Sequence, residues 1–122
     1  MSANILTVDD SASIRLTTKV TLTNAGYTIT EAVNGAEGLA TAQTAQFDLI
    51  VTDLNMPVMD GLTMIEELRK LPSQAGVPII FLTTESDADL KARAKAAGAT
   101  GWLTKPFDPE NLVKIVKKVL GR

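Results

Sequence analysis

Five short apolar runs, each followed by a stretch of helical character, constrain this chain more than any other feature of it. The strand candidates are Asn4–Val8, Thr28–Val33, Phe47–Asp53, Val77–Leu82 and Gly101–Leu103. The helix candidates are Ser11–Ala25, Ala36–Thr44, Leu62–Leu71, Ala88–Ala97 and Pro109–Leu120. Strict strand–helix alternation requires parallel pairing through right-handed crossovers, with helices covering both faces of one sheet. The third run, Leu49-Ile50-Val51-Thr52, is apolar or β-branched throughout, as expected of a strand buried on both faces. The last helix carries Leu112, Ile115, Val116 and Val119 at core-stripe spacing, with Lys114, Lys117 and Lys118 largely outside it.

Punctuation agrees with the periodicity. Ser11, Asp60 and Asp108 are suited to helix N-caps, and Pro109 suits the first turn of the last helix. Gly26, Gly98 and Gly121 follow helices as stops. Thr17, Thr18, Thr21 and Thr23 are mediocre helix formers, so the first helix has to be held by packing. A length of 122 residues suits one core. No repeat or linker interrupts the pattern, and a single domain over 1–122 with no output domain is expected.

Composition removes several chemistries. The chain has no cysteine and no histidine, hence no thiolate nucleophile, no zinc–thiolate site and no imidazole base. A net charge of -2 provides no electrostatic footprint for nucleic acid. No segment reads as a signal peptide or a membrane span, so a cytoplasmic protein, bacterial in character, is expected.

What remains is gathered by topology. In an open parallel sheet the strand C-termini share one edge, and ligands bind there. The first strand ends at Asp9-Asp10, the third at Asp53, the fourth at Thr83-Thr84-Glu85, and the fifth leads to Lys105. At about 4 Å and intermediate dielectric, like charges cost several kcal/mol, as an order of magnitude. Lys105 offsets part of that cost, and a hard divalent cation offsets more; oxygen-only donors favour Mg²⁺ or Mn²⁺. Such a rim suits a phosphoryl group, with a carboxylate as nucleophile.

An acidic pair after strand one, Asp after strand three, Thr after strand four and Lys-Pro after strand five occur here in order, together with "DLNMPVMDG". On these motifs, across essentially the whole chain, the sequence resembles the receiver domains of two-component response regulators, and among them the single-domain, CheY-like chemotaxis type. The resemblance implies a doubly wound, flavodoxin-like (βα)5 fold with strand order 2-1-3-4-5. It implies Asp53 as phospho-acceptor, Asp10 binding Mg²⁺ directly, Asp9 through water, and the Asn55 carbonyl as a further ligand. Lys105 would contact the phosphoryl oxygens. Thr83 would bond the phosphoryl group and let an aromatic residue, here Trp102, turn inward. Pro106 would follow a cis peptide bond.

The resemblance also implies partners. A histidine kinase, of the chemotaxis type, would donate its phosphoryl group in trans, docking near Ile14 and Phe107. The output would be altered binding of another protein, in a chemotaxis system the flagellar motor switch, with a phosphatase as a further partner. The chain is expected to be a monomer and a switch rather than an enzyme, limited to self-phosphotransfer and self-dephosphorylation. Alternatives are a phosphate sink or a phosphorelay carrier. Lys114, Lys117 and Lys118 read equally as a solvated face or as recognition of an acidic motif. Relatives usually carry Ala, Gly or Ser where Thr84 stands, so phosphotransfer or self-dephosphorylation is expected to be slower than in Thr84→Ala. Glu85 would also face the site.

Two other classes fit less well. An aspartyl-phosphate phosphohydrolase of the haloacid dehalogenase type places its nucleophile after the first strand in a DxD motif, whereas Asp53 follows the third and Asn55 is not an acid. A flavodoxin-type FMN carrier needs a phosphate loop after strand one, where "VDDSAS" is repulsive.

Overall fold

The computed structural model describes residues 3–54, 56, 58–72, 76–83, 88–105 and 107–121. Five strands alternate with five helices: β1 (Asn4–Val8), α1 (Ala12–Asn24), β2 (Thr28–Ala32), α2 (Gly35–Ala42), β3 (Leu49–Asp53), α3 (Gly61–Arg69), β4 (Ile79–Thr83), α4 (Ala88–Ala97), β5 (Gly101–Thr104) and α5 (Pro109–Leu120). The sheet is parallel throughout, in the order β2-β1-β3-β4-β5. This is the doubly wound architecture that the alternation requires.

The two faces of the sheet bury separate sets of side chains. Leu6, Val8, Ile50 and Ile79 pack with Met64, Ile65 and Leu68 of α3 and with Ala42 of α2. Ile5, Leu49, Val51, Ile80 and Leu82 pack with Leu22 of α1 and with Leu112 and Val116 of α5. The odd–even alternation of β1, β3 and β4 between these sets is the period of two expected of a pleated strand. All five residues of β3 and all five of β4 are buried. α1 is indeed held by packing, through Thr18 and Leu22.

Ser11, Asp60 and Asp108 cap α1, α3 and α5, their side-chain oxygens accepting from Ile14 N, Thr63 N and Glu110 N. Gly26, Gly98 and Gly121 adopt positive φ after their helices.

Element ends differ from the sequence pattern for identifiable reasons. β3 starts at Leu49 because Phe47 packs on the core beside the ladder rather than within it. β4 starts at Ile79, since Pro78 has no N–H to pair, although its carbonyl accepts from Ile50 N at 3.0 Å. β4 and β5 run on to Thr83 and Thr104, where Lys105 N–H donates to the Thr83 carbonyl at 2.7 Å. The second strand stops at Ala32, short of the exposed Val33. α2 and α3 each begin one residue early, at Gly35 and Gly61, and α1, α2 and α3 end before the last residues their apolar patterns suggest.

Candidate functional site

The C-terminal ends of β1 and β3 bring Asp9, Asp10 and Asp53 together, and the residue after β5 brings Lys105. The Lys105 Nζ lies 3.0 Å from Asp9 Oδ2 and 3.3 Å from Asp53 Oδ2. Both carboxylates are buried, at 3% and 8% exposure, while Asp10 is exposed. One ammonium thus bridges two acids at the C-terminal ends of adjacent strands, Asp9 just after β1 and Asp53 the last residue of β3.

Each acid is also held by the backbone. Asp53 Oδ1 accepts from Leu54 N–H at 2.8 Å. Asp9 Oδ1 accepts from Ser11 N–H at 2.9 Å, its N–H donates to the Ala32 carbonyl, and its carbonyl accepts from Arg15 Nη1 at 2.7 Å. Asp9 is therefore fixed at every polar group it has. Burial is the largest influence on the Asp53 carboxyl and raises its pKa above the usual 3.8; Lys105 opposes this, Asp9 reinforces it, and the Leu54 N–H opposes it.

The segment after Asp53 is closed by a short backbone bond, Gly61 N–H to the Leu54 carbonyl at 2.8 Å. A Cβ at Gly61 would collide with the Asp53 carbonyl oxygen, so the start of α3 approaches β3 in a way only glycine allows. In the same segment Val58 has φ 70 and is 84% exposed, a left-handed conformation that is uncommon for a β-branched residue.

Carboxylate oxygens of Asp9, Asp10 and Asp53 can all lie within 4.8 Å of one another. An all-oxygen donor set of this compactness fits a small hard divalent cation. Thr83 is buried at the end of β4 and bonded through its carbonyl to Lys105 N–H. It shares a sheet face with Phe81, which is opposite Trp102 in the ladder. Trp102 is 40% exposed. Ile14 and Phe107 are both half-buried against the α1–α5 side of the core. Asn55, Thr84, Glu85 and Pro106 lie outside the described residues.

Three participants escaped sequence reasoning. Arg15 carried only a weak signal, a basic residue one turn into the helix after two acids. Gly61 was legible as turn chemistry but not as clearance for Asp53. Lys91, whose Nζ sits 4.7 Å from the centre of the Trp102 ring, carried none.

Comparison with known proteins agrees with this geometry. The family model described as response regulator receiver domain matches residues 5–117. The chain is 47% identical to the chemotaxis protein CheY4 of Vibrio cholerae, with a TM-score of 0.94 over 98% of this chain and 99% of that one. A receiver domain of a sensor histidine kinase from Pseudomonas aeruginosa, solved with magnesium coordinated in its active site cleft, is 28% identical with a TM-score of 0.92 over 100% of both chains. Among curated proteins, the DNA-binding dual master transcriptional regulator RpaA of Synechocystis is 37% identical over 97% of this chain and 49% of its own length. The probable transcriptional regulator ycf29 of Porphyra purpurea is 35% identical over 100% of this chain and 58% of its own. The chain spans about half the length of these curated relatives. No helix among the described residues is long and apolar enough to cross a membrane.

Proposed function

The chain belongs to the response regulator receiver domain family, and from that premise we propose that Asp53 accepts a phosphoryl group from a phosphohistidine of a histidine kinase of the chemotaxis type. The observation that carries the reading is the Lys105 ammonium bridging Asp9 and Asp53 at the shared strand edge. Receiver domains bind Mg²⁺ at an acidic site, and the fit of Asp9, Asp10 and Asp53 supports the same here.

In the proposed step, a carboxylate oxygen of Asp53 attacks phosphorus as the bond to the donor imidazole nitrogen breaks, and the electron pair leaves with the imidazole. Asp53 is ready for this because its strand is buried and its Oδ1 is aimed by Leu54 N–H, which leaves Oδ2 beside Lys105. Lys105 donates to the oxygens of the arriving group, where charge accumulates. Asp9, Asp10 and Asp53 would hold Mg²⁺, which when bound would supply positive charge that offsets both the acids and the phosphoryl oxygens; the expected carbonyl donor, Asn55, lies outside the described residues.

The phosphorylated state is read through Thr83 and Trp102, which share one face of β4 and β5. A bond from Thr83 to the new phosphoryl oxygens frees space on that face, and Trp102 turns inward. Partner affinity then changes by population shift. The kinship with a chemotaxis protein supports a protein partner of the motor-switch kind, and the net charge of -2 supports no direct contact of this domain with nucleic acid.

Intact mass after incubation with acetyl phosphate and Mg²⁺ tests the reading. One added phosphoryl group in wild type, absent from Asp53→Asn and absent in EDTA, is expected. An unmodified wild type would overturn it.

A further inference from the structure

Trp102 has two ring contacts among the described residues. The ring stacks on Phe81 at 6.1 Å between centroids and 28° between planes, and the Lys91 ammonium lies over it at 4.7 Å. Packing elsewhere is loose. A cavity of about 150 Å³ lined by Phe81, Lys95, Ala99, Thr100 and Gly101 adjoins the indole, and an open groove lined by Gly101, Ile115 and Val119 lies on β5 beside it. Gly101 lines both spaces, and its missing side chain would have pointed into the groove, towards Ile115. An indole of this size, 40% exposed and beside empty volume, is not fixed by shape alone.

α4 lies against this tryptophan. Among its described side chains only Ala94 is fully buried, packed with Phe81 and Leu54. Lys91 and Lys95 stand one helical turn apart on the side of α4 that meets β5, where two like charges repel. The electron-rich face of Trp102 accepts one of them. The contact therefore serves both elements: it gives Lys91 a partner and ties the indole outward to the helix.

We propose that Lys91 is a positioning residue that restrains Trp102 in its outward orientation and so sets the resting balance of the switch. Inward rotation removes the ring from beneath the ammonium, so the contact favours only the outward state. A ligand or contact that stabilises one of two states shifts their ratio by the free energy it contributes. This inference rests on the reading of Trp102 as the moving residue.

The test uses Lys91→Met, which keeps the length of the stem without the charge, and Lys91→Arg, which restores a cation. Beryllofluoride with Mg²⁺ serves as the phosphoryl mimic, its loading followed by fluorine NMR independently of Trp102, and acrylamide quenching reports the exposure of the chain's single tryptophan. Lys91→Met is expected to lower the beryllofluoride midpoint roughly two- to fivefold, the size of a cation–π contact at a half-exposed site. It should also lower acrylamide quenching in the unloaded protein, with Lys91→Arg behaving as wild type. An unchanged midpoint with unchanged quenching overturns the proposal, as does an arginine variant that behaves like methionine. Should wild type fail to load beryllofluoride, the phospho-acceptor reading falls, and quenching alone decides on Lys91: lower in Lys91→Met supports the restraint, equal or higher overturns it.

Discussion

Asp9 and Lys105 are 96 residues apart in the chain and 3.0 Å apart in space. Their contact joins the first strand to the segment after the last, across β3 and β4, and Asp53 lies between them on the sheet. Among the described side chains, the lysine is the one cation paired with either buried carboxylate group.

Removing it leaves two buried carboxylates facing each other. Lys105→Met is expected to lower stability in EDTA by about 2 kcal/mol, below the ~3–5 kcal/mol of a fully buried broken pair because this rim adjoins solvent. Added Mg²⁺ should recover part of that loss. Transfer from acetyl phosphate should fall about a hundredfold, as for loss of one preorganised donor. Urea unfolding with and without Mg²⁺, alongside the transfer rate, checks both; an undiminished rate would exclude Lys105 from contact with the phosphoryl group.

The pH dependence of stability carries a sign. Burial raises the folded-state pKa of Asp53 above 3.8, against the pull of Lys105. Between 3.8 and the raised value the native state holds more protons than the unfolded one, so this group's contribution falls as pH rises through that window and stays low above it. Asp53→Asn has no such loss. In EDTA its Tm should exceed that of wild type at neutral pH, and the gap should shrink as pH falls towards 3.8. A gap of constant size from acid to neutral would argue against a raised pKa.

Gly61→Ala places a Cβ against the Asp53 carbonyl, a backbone atom that cannot step aside cheaply. A destabilisation of roughly 2–3 kcal/mol is expected, in the range of local overpacking. The acceptor should be displaced as well, so the variant should bind Mg²⁺ more weakly than wild type at a temperature where both are folded. Calorimetric titration with Mg²⁺ provides that comparison.

Thr18 Oγ1 is buried in α1 without a hydrogen-bond partner among the described residues. Thr18→Val keeps the shape and removes the hydroxyl, and should stabilise the protein by about 1 kcal/mol. Because Thr18 is remote from the carboxylates in the fold, phosphotransfer should be unchanged. Thermal unfolding showing no gain would mean that the hydroxyl is satisfied in solution.

Much of the site was legible because its logic is topological. Strands buried on both faces must be apolar, so a polar residue at the end of such a run stands out, as Asp53 and Thr83 do. Parallel order then brings those ends together without any knowledge of side-chain geometry. What was not legible depends on tertiary distance. Arg15 reaches the Asp9 carbonyl, Gly61 clears the Asp53 backbone, and Lys91 covers Trp102, and none of these follows from periodicity or spacing. Strand limits went astray where hydrogen bonding rather than hydrophobicity decides, as at Pro78 and Thr104.

β5 is an edge strand whose residues alternate between half-buried and exposed, whereas β3, at the middle of the sheet, is buried along its length. Amide hydrogens of β5 should therefore exchange with solvent through local opening, while those of β3 await global unfolding. Asp53 stands on a fully buried inner strand and Trp102 on a partly exposed edge strand. The carboxylate of Asp53 thus keeps a fixed setting while the outer strand opens and closes, so motion at Trp102 need not disturb the geometry at Asp53.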